Sequence, residues 1–121
     1  MQRVIFDSSF LMAVAEKPTT WFEDIVDLVG SFEPVLLDCV REELEKIASG
    51  EGKKGRLARV SLEMAEKFAG APCGNGAVDD EIISAAKTQS AFVGTSDSSL
   101  SDSLRASSVR VISLRRGRVG L

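Results

Sequence analysis

Val4-Ile5-Phe6-Asp7-Ser8-Ser9 is a run of apolar residues that stops at a carboxylate and two hydroxyls. Three consecutive apolar residues that favour strands predict a strand buried on both faces, which is typical of the centre of a parallel sheet covered by helices. Ligands of such sheets bind beyond the carboxyl ends of the strands, where the strand order reverses. Asp7 is therefore a candidate site residue, and the alternative is that it only caps the helix predicted to begin near Ser9.

Composition limits the class of protein. The chain has 121 residues, of which 44% are hydrophobic and 27% charged, which predicts one domain over residues 1–121 with a single core. No apolar run approaches the roughly 20 residues of a membrane span, and the N-terminus lacks the layout of a signal peptide. We therefore expect a cytoplasmic protein with no membrane partner. Cys39 and Cys73 have neither the number nor the spacing of a zinc site or disulfide framework, so we expect reduced, structural thiols.

Several kinds of site are excluded by the residues that are missing. The chain contains no histidine, which excludes Ser-His and Cys-His catalytic groups and any zinc held by histidine. Carboxylates are the plentiful ligands and acid/base groups that remain. The turn Gly74-Asn75-Gly76 resembles a phosphate loop, but no Lys-Ser/Thr pair follows it, so nucleotide binding has little support.

Charge is distributed unevenly along the chain. Residues 1–102 contain all 18 acids and 10 of the 15 basic residues, a net charge of −8, whereas residues 103–121 carry five arginines and no acid. A second basic cluster lies in a connection rich in glycine, between residues 50 and 59. Such clusters suit a polyanion, although a solvated surface is the usual explanation for either cluster alone.

Apolar patterns and turn residues predict strands that alternate with helices. Short connections between them favour a three-layer α/β/α sandwich with a central parallel sheet of about five strands, in the probable order 3-2-1-4-5. The predicted strands are residues 4–6, 35–37, part of 68–73, 91–95 and 109–114, and the predicted helices begin near residues 9, 20, 38, 57, 78 and 98. Residues 50–55 are predicted to be a flexible connection, and residues 115–118 a turn before a short extension.

Carboxylates recur where this fold would gather them. Glu43 lies on the apolar face of its helix, between Val40 and Ile47, and a glutamate is rarely buried unless it is paired or bound to a metal. The acids 79–81 open another helix, where one or two of them would satisfy the helix dipole. We expect Asp79 to be the N-cap of that helix, which leaves Asp80 free to point across the crevice.

Parallel strands and right-handed crossovers bring these acids to one edge of the sheet. Strands 1 and 4 flank the point where the order reverses, so Asp7 and Asp97 should meet across the crevice, with Asp80 on the same edge and Glu43 about one helical turn away. Four carboxylates would repel one another unless cations neutralised them. An oxygen-only site favours Mg²⁺ or Mn²⁺, which can activate water for phosphodiester hydrolysis.

The chain resembles a PIN domain over essentially its full length. Asp7 and Ser9 follow the first strand, and Glu43-Leu44 lies on the helix after strand 2. The motif Asp80-Glu81-Ile82-Ile83 opens a later helix, and Thr95-Ser96-Asp97 follows strand 4. The order and spacing of these motifs carry the resemblance, since no single motif is specific. The usual Asp-Thr-Ser/Asn after strand 1 is Asp-Ser-Ser here, a mild departure.

The resemblance implies a metal-dependent endoribonuclease that cuts single-stranded RNA. It is closer to archaeal and rRNA-processing PIN proteins than to VapC-like toxins, and it leaves a homodimer, an antitoxin and a ribosome-assembly partner open. The implied catalytic residues and Mg²⁺ or Mn²⁺ ligands are Asp7, Glu43, Asp80 and Asp97. The supporting residues are Ser9, Asp79, Thr95 and Ser96. The candidate RNA-binding residues are Lys53, Lys54, Arg56, Arg115, Arg116 and Arg118.

Three other functions are consistent with parts of the sequence. A PIN-like module that binds RNA or protein without cleaving would be expected to lose one of the four acids, and none is lost. A phosphoacceptor receiver domain requires a Lys after its last strand, where this chain has Arg115. A phosphatase of the haloacid dehalogenase type requires Asp-x-Asp after strand 1, and Ser9 stands at the second position.

Overall fold

Strands and helices alternate along the chain in the computed structural model, which describes all 121 residues. The strands are β1 (Gln2–Phe6), β2 (Phe32–Leu37), β3 (Ala69–Ala71), β4 (Phe92–Thr95), β5 (Val111–Arg115) and β6 (Arg118–Gly120). The helices are α1 (Ser8–Glu16), α2 (Trp21–Val29), α3 (Asp38–Ala48), α4 (Gly52–Met64), α5 (Val78–Gln89) and α6 (Ser98–Ala106).

The strands form one sheet of six in the order β3-β2-β1-β4-β5-β6. The first five strands are parallel, with Ile5 of β1 opposite Val35 of β2 and Val93 of β4. The predicted α/β class and strand order are confirmed. The predicted terminal extension is a sixth strand, β6, which pairs with β5 in antiparallel register. The carboxyl ends of β1, β4 and β5 therefore lie along one edge.

The core lies against the central strand β1, where Val4, Ile5 and Phe6 are fully buried. Gly94, opposite Phe6 in the register, leaves room for the Phe6 ring, because a Cβ there would lie 2.8 Å from Phe6 Cδ1. The amide of Asp7 then donates to the carbonyl of Gly94 at 2.9 Å. This close approach holds the ends of β1 and β4 together. None of the helices combines the length and the apolar character needed to span a membrane.

The connection between α3 and α4 is shorter than predicted. Helix α4 already begins at Gly52, inside the stretch expected to be flexible. The Nη1 atom of Arg59 donates to the carbonyls of Ala48 and Gly50, at 2.8 and 3.3 Å, and so satisfies backbone groups at the end of α3. The prediction of a flexible connection is therefore wrong. Three glycines indicated a loop, but α3 and α4 pack together and only a short connection separates them.

Cys39 and Cys73 form a disulfide bond, with a Cα–Cα distance of 5.9 Å that lies in the usual range for such bonds. The expectation of two reduced thiols is therefore wrong. The fold brings the first turn of α3 against the segment that follows β3, although the two cysteines are separated by 34 positions in sequence. That proximity depends on how β2 and β3 pair, which the spacing of two cysteines does not reveal.

Candidate active site

Asp7 stands at the N-cap of α1, but its side chain makes no capping hydrogen bond. Instead, its Oδ2 atom accepts hydrogen bonds from Ser9 Oγ at 2.6 Å and from Thr95 Oγ1 at 2.9 Å. The residue is 6% exposed. Both hydroxyls hold one carboxylate oxygen in place, so the other is free to bind a ligand at the edge of the sheet. The alternative, in which the Asp7 side chain only caps the helix, is therefore wrong.

Hydroxyl groups connect the ends of β1 and β4. Ser9 Oγ accepts a hydrogen bond from the amide of Ser96 at 3.0 Å and lies 3.2 Å from Thr95 Oγ1. Thr95, which is fully buried, also accepts from the amide of Asp97 at 3.1 Å. A buried hydroxyl that both donates and accepts fixes the groups around it. Ser9, Thr95 and Ser96 therefore hold Asp7 and Asp97 in a defined arrangement.

Asp97 is the N-cap of α6. Its Oδ1 atom accepts a hydrogen bond from the amide of Leu100 at 3.0 Å, which satisfies one of the free backbone donors of the helix. One carboxylate oxygen is thus engaged in holding the helix. The second oxygen is available at the same sheet edge as Asp7.

Glu43 is half-buried and reaches the start of α1. Ser8 Oγ donates to Glu43 Oε1 at 2.5 Å, across 35 positions of sequence. The expected inward orientation of Glu43 agrees with this contact. Ser8 has a positioning role that we did not predict, because a hydroxyl next to a site Asp gives no sign of its partner until α3 is placed over α1.

The three acids at the start of α5 have different surroundings. Helix α5 begins at Val78 with Ala77 as N-cap, so the prediction that Asp79 is the N-cap is wrong. Glu81 accepts a hydrogen bond from the amide of Gly74, and a Cβ at Gly76 would lie 2.8 Å from Glu81 Oε2. Glu81 therefore holds the preceding turn, where the chain passes close to its carboxylate.

Asp79 is the acid of this run whose charge interacts with the rest of the site. Asp79 is exposed on the first turn of α5, and its pKa is raised above the ordinary value, first by partial burial and then by the charges of Asp7, Asp97, Glu43 and Asp80, in decreasing order. Asp80, the ligand expected from the motif, makes the smallest of these contributions. The second residue of α5 thus lies within electrostatic reach of the carboxylates at the ends of β1 and β4 and on α3.

The donor set suits a hard divalent cation, since it consists of carboxylate and hydroxyl oxygens. No group of three or more Asp, Glu, His or Cys side chains is arranged so that it could enclose a metal ion. Mg²⁺ is usually held by one or two carboxylates together with waters and substrate phosphates, so it does not need such a cage. Asp7 and Asp97 each have one oxygen outside the hydrogen bonds described above, and those oxygens fit this kind of binding.

The predicted RNA-binding residues do not form one patch. Arg115 borders a cavity beside α6, whereas Arg116 borders a groove along α1 that also includes Lys17 and Ser96. Arg118 borders a groove with Asp24 and Asp27 of α2. Lys53 makes an ion pair of 3.3 Å with Glu16, which lines the same groove as Arg116. Lys54 and Arg56 are exposed on the first turns of α4.

Comparison with known proteins identifies similar domains. A family model described as PIN like domain matches residues 4–118. The structure of the PIN domain endonuclease Utp24 superposes with a TM-score of 0.79 and 26% identity, covering 97% of this chain and 88% of that one. No match was found among the curated proteins.

Two archaeal structures share the fold at lower identity. One is a domain of a functionally unknown protein from Methanocaldococcus jannaschii DSM 2661, with a TM-score of 0.68, 16% identity and coverage of 100% of this chain and 96% of that one. The other is PAE2754 from Pyrobaculum aerophilum, with a TM-score of 0.59, 14% identity and coverage of 91% and 83%. These two similarities concern the arrangement of strands and helices alone.

Proposed function

Because the chain belongs to the PIN-like domain family, whose members are typically nucleases, we propose that it is a metal-dependent endoribonuclease. Its proposed substrate is single-stranded RNA, in which it hydrolyses phosphodiester bonds with the help of Mg²⁺ or Mn²⁺. The similarity to an endonuclease at 26% identity supports nuclease chemistry. The choice of RNA and of the metal is our inference from the motifs and from the residues at the site.

The observation that carries this proposal is the oriented carboxylate of Asp7 within a set of acids that includes Glu43, Asp79 and Asp97. The charges of four other acids raise the pKa of Asp79. Neutral side chains at this sheet edge would not have this effect. Proteins gather like charges mainly where a cation or a reaction requires them. The hydrogen bonds from Ser9 and Thr95 orient Asp7 within this set, which a solvated surface acid would not need.

Each acid has a defined part in the proposed reaction. When bound, a divalent ion would lower the pKa of a water and neutralise charge on the phosphodiester. Asp7 and Asp97 would hold the ion through their free oxygens, while Thr95 and the amide of Leu100 keep the other oxygens fixed. Glu43, held by Ser8, would orient a water or a further ligand. Asp79 or Asp80 would complete the negative environment that selects a cation.

Cleavage of a labelled single-stranded RNA in Mn²⁺ tests the proposal. Asp7→Asn should reduce cleavage by about a hundredfold or more, because it removes the negative charge from the most constrained ligand candidate. The variant should melt no lower than the wild type in EDTA, since it relieves repulsion. Glu63→Gln, which changes an exposed acid on α4 to an amide, serves as the matched control and should retain full activity.

Three results would contradict parts of the assignment. Full cleavage by a well-folded Asp7→Asn variant would exclude this site as the catalytic centre. RNA binding without cleavage under any divalent metal would instead favour the alternative, a PIN-like module that binds RNA. The absence of any cation-induced rise in melting temperature would count against the metal, since a ligand at 100 times its Kd stabilises the native state by about 2.7 kcal/mol.

A further inference from the structure

A polar cavity of about 260 Å³ lies between α6 and the end of β5, beside the candidate active site. Thr95 and Ser96 line one side of it, so the cavity is continuous with the hydroxyls that hold Asp7. Of the nine residues that line it, only Leu114 is hydrophobic. The space is therefore built for a polar group.

The wall formed by α6 is polar. Ser98, Ser101, Asp102 and Arg105 line the cavity at spacings i, i+3, i+4 and i+7, which is one face of a helix. Ser98, Asp102 and Arg105 are exposed to solvent, whereas Ser101 is buried. The core contact of α6 is made instead by another face, which includes the fully buried Leu104. The polar stripe is therefore open to solvent, and a ligand can reach it.

Several polar groups of the cavity have no partner within the protein. Ser101 is 7% exposed, and its hydroxyl, which remains accessible from the cavity, makes no hydrogen bond to another protein group. Neither Arg105 nor Arg115 makes an ion pair, since the two ion pairs of the chain are Arg3–Glu33 and Lys53–Glu16. Asp102 is the only acid of the lining, so the cavity carries a net positive charge. An unpartnered hydroxyl in the same lining as two free guanidinium groups fits an anion.

We propose that this cavity is a phosphate subsite that holds an internal phosphodiester of the substrate strand, next to the one at the carboxylates. Guanidinium groups suit this ligand because their paired N–H donors match phosphate oxygens. Ser101 supplies a hydroxyl donor from the same lining. The identity of the strand as RNA rests on the function proposed above, whereas the anion chemistry rests on the cavity alone.

Binding of a fluorescent single-stranded RNA to the Asp7→Asn protein tests the subsite without cleavage. Arg105→Gln should weaken binding by about tenfold, the usual effect of losing a charge-assisted hydrogen bond. It should also flatten the log-log salt dependence by about 0.7. Arg115→Gln, on a different element, should behave in the same way. Lys87→Gln is the matched control, because Lys87 also lies in the last turn of a helix, next to the start of β4.

Chemical probes identify the phosphate that is bound. A single methylphosphonate, which neutralises one internal phosphate, should weaken binding to the parent protein at one position and have little effect there on Arg105→Gln. Equal binding by the Arg105, Arg115 and Lys87 variants would overturn the proposal. A preference for 5′-phosphorylated RNA that Arg105→Gln abolishes would overturn the internal phosphodiester in favour of a terminal phosphate. Failure of the wild type to cleave RNA would refute the proposed function but not the subsite, which binding decides.

Discussion

Asp79 is the carboxylate whose surroundings most clearly oppose its charge. Burial and the neighbouring acids raise its pKa, so the folded protein holds the proton of Asp79 more tightly than the unfolded chain does. Stability of the metal-free protein should therefore fall as pH rises from about 3.9, the ordinary pKa of Asp, through the raised value. Above the raised pKa the whole penalty is present, and a bound cation would remove it.

Asp79→Asn should consequently raise the melting temperature in EDTA at pH 8, and the gain should disappear near pH 3, where the wild-type carboxyl is protonated in both states. Asp80→Asn is the matched comparison, one residue along the same helix, and should gain less. In Mn²⁺, Asp79→Asn should lose more of the metal-induced rise and more RNA cleavage than Asp80→Asn. Thermal melts and cleavage rates of both variants decide between them.

The opposite ranking would restore the assignment made from the motif. If Asp80→Asn loses the metal response while Asp79→Asn keeps it, Asp80 is the ligand. Asp79 then contributes only to the negative potential of the site. The motif Asp80-Glu81-Ile82-Ile83 could not separate the two acids, because the choice depends on where α5 begins. Because α5 begins at Val78, both acids are helical, and their side chains leave the helix about 100° apart.

The disulfide joins two segments of the chain, each of which leads to a candidate acid of the site. Cys39 lies one turn before Glu43 on α3, and Cys73 precedes the turn that leads to Asp79. Gly74 and Gly76 wrap around Glu81 in the same turn. The crosslink therefore restrains the start of α5 relative to α3, and a groove lined by Glu43 and Asn75 lies between them.

Reduction of this disulfide by a dithiol should destabilise the protein. Closing a loop over the 34-residue separation contributes about 4 kcal/mol by the chain-entropy estimate, which corresponds to a fall in melting temperature on the order of 10 °C. Cleavage should fall as well, because Asp79 follows the released segment. The Cys39→Ser, Cys73→Ser double variant should show the low melting temperature without reductant and no further response to it. Identical melts with and without the dithiol would argue that the crosslink is not formed in solution.

The strand order was predictable from the sequence because apolar runs such as Val4–Phe6 mark buried strands and parallel topology leaves few ways to connect them. The convergence of Asp7 and Asp97 on one sheet edge followed from the same rule. The contacts of Ser8 with Glu43 and of Cys39 with Cys73 did not follow, since each spans more than 30 residues and depends on how α3 sits on its neighbours. The helical spacing of serines in α6 is visible in the sequence. That they border a cavity could not be predicted, because it depends on where β5 lies.

Two arginines lie on either side of β5, next to the acidic edge of the sheet. Arg115 and Arg116 end β5 and begin the hairpin turn, so they lie on opposite sides of the strand that borders the site. Ser96 and Leu114 line both the cavity beside α6 and the groove along α1. A strand of RNA crossing the acids would therefore meet positive charge on either side, which offsets the repulsion between phosphates and carboxylates.

The hairpin arginines permit a matched test of this path. Arg116 and Arg118 are both exposed and flank Gly117, but Arg116 faces the groove that reaches Ser96, whereas Arg118 shares its groove with Asp24 and Asp27. Arg116→Gln should flatten the salt dependence of RNA binding by about 0.7 in log-log slope, as expected for one lost phosphate contact. Arg118→Gln should change the slope little, because neighbouring carboxylates oppose phosphate binding there. Arg116→Lys, which keeps the charge, should retain most of the slope. Equal slopes for the two Gln variants would mean that the RNA does not follow the groove along α1.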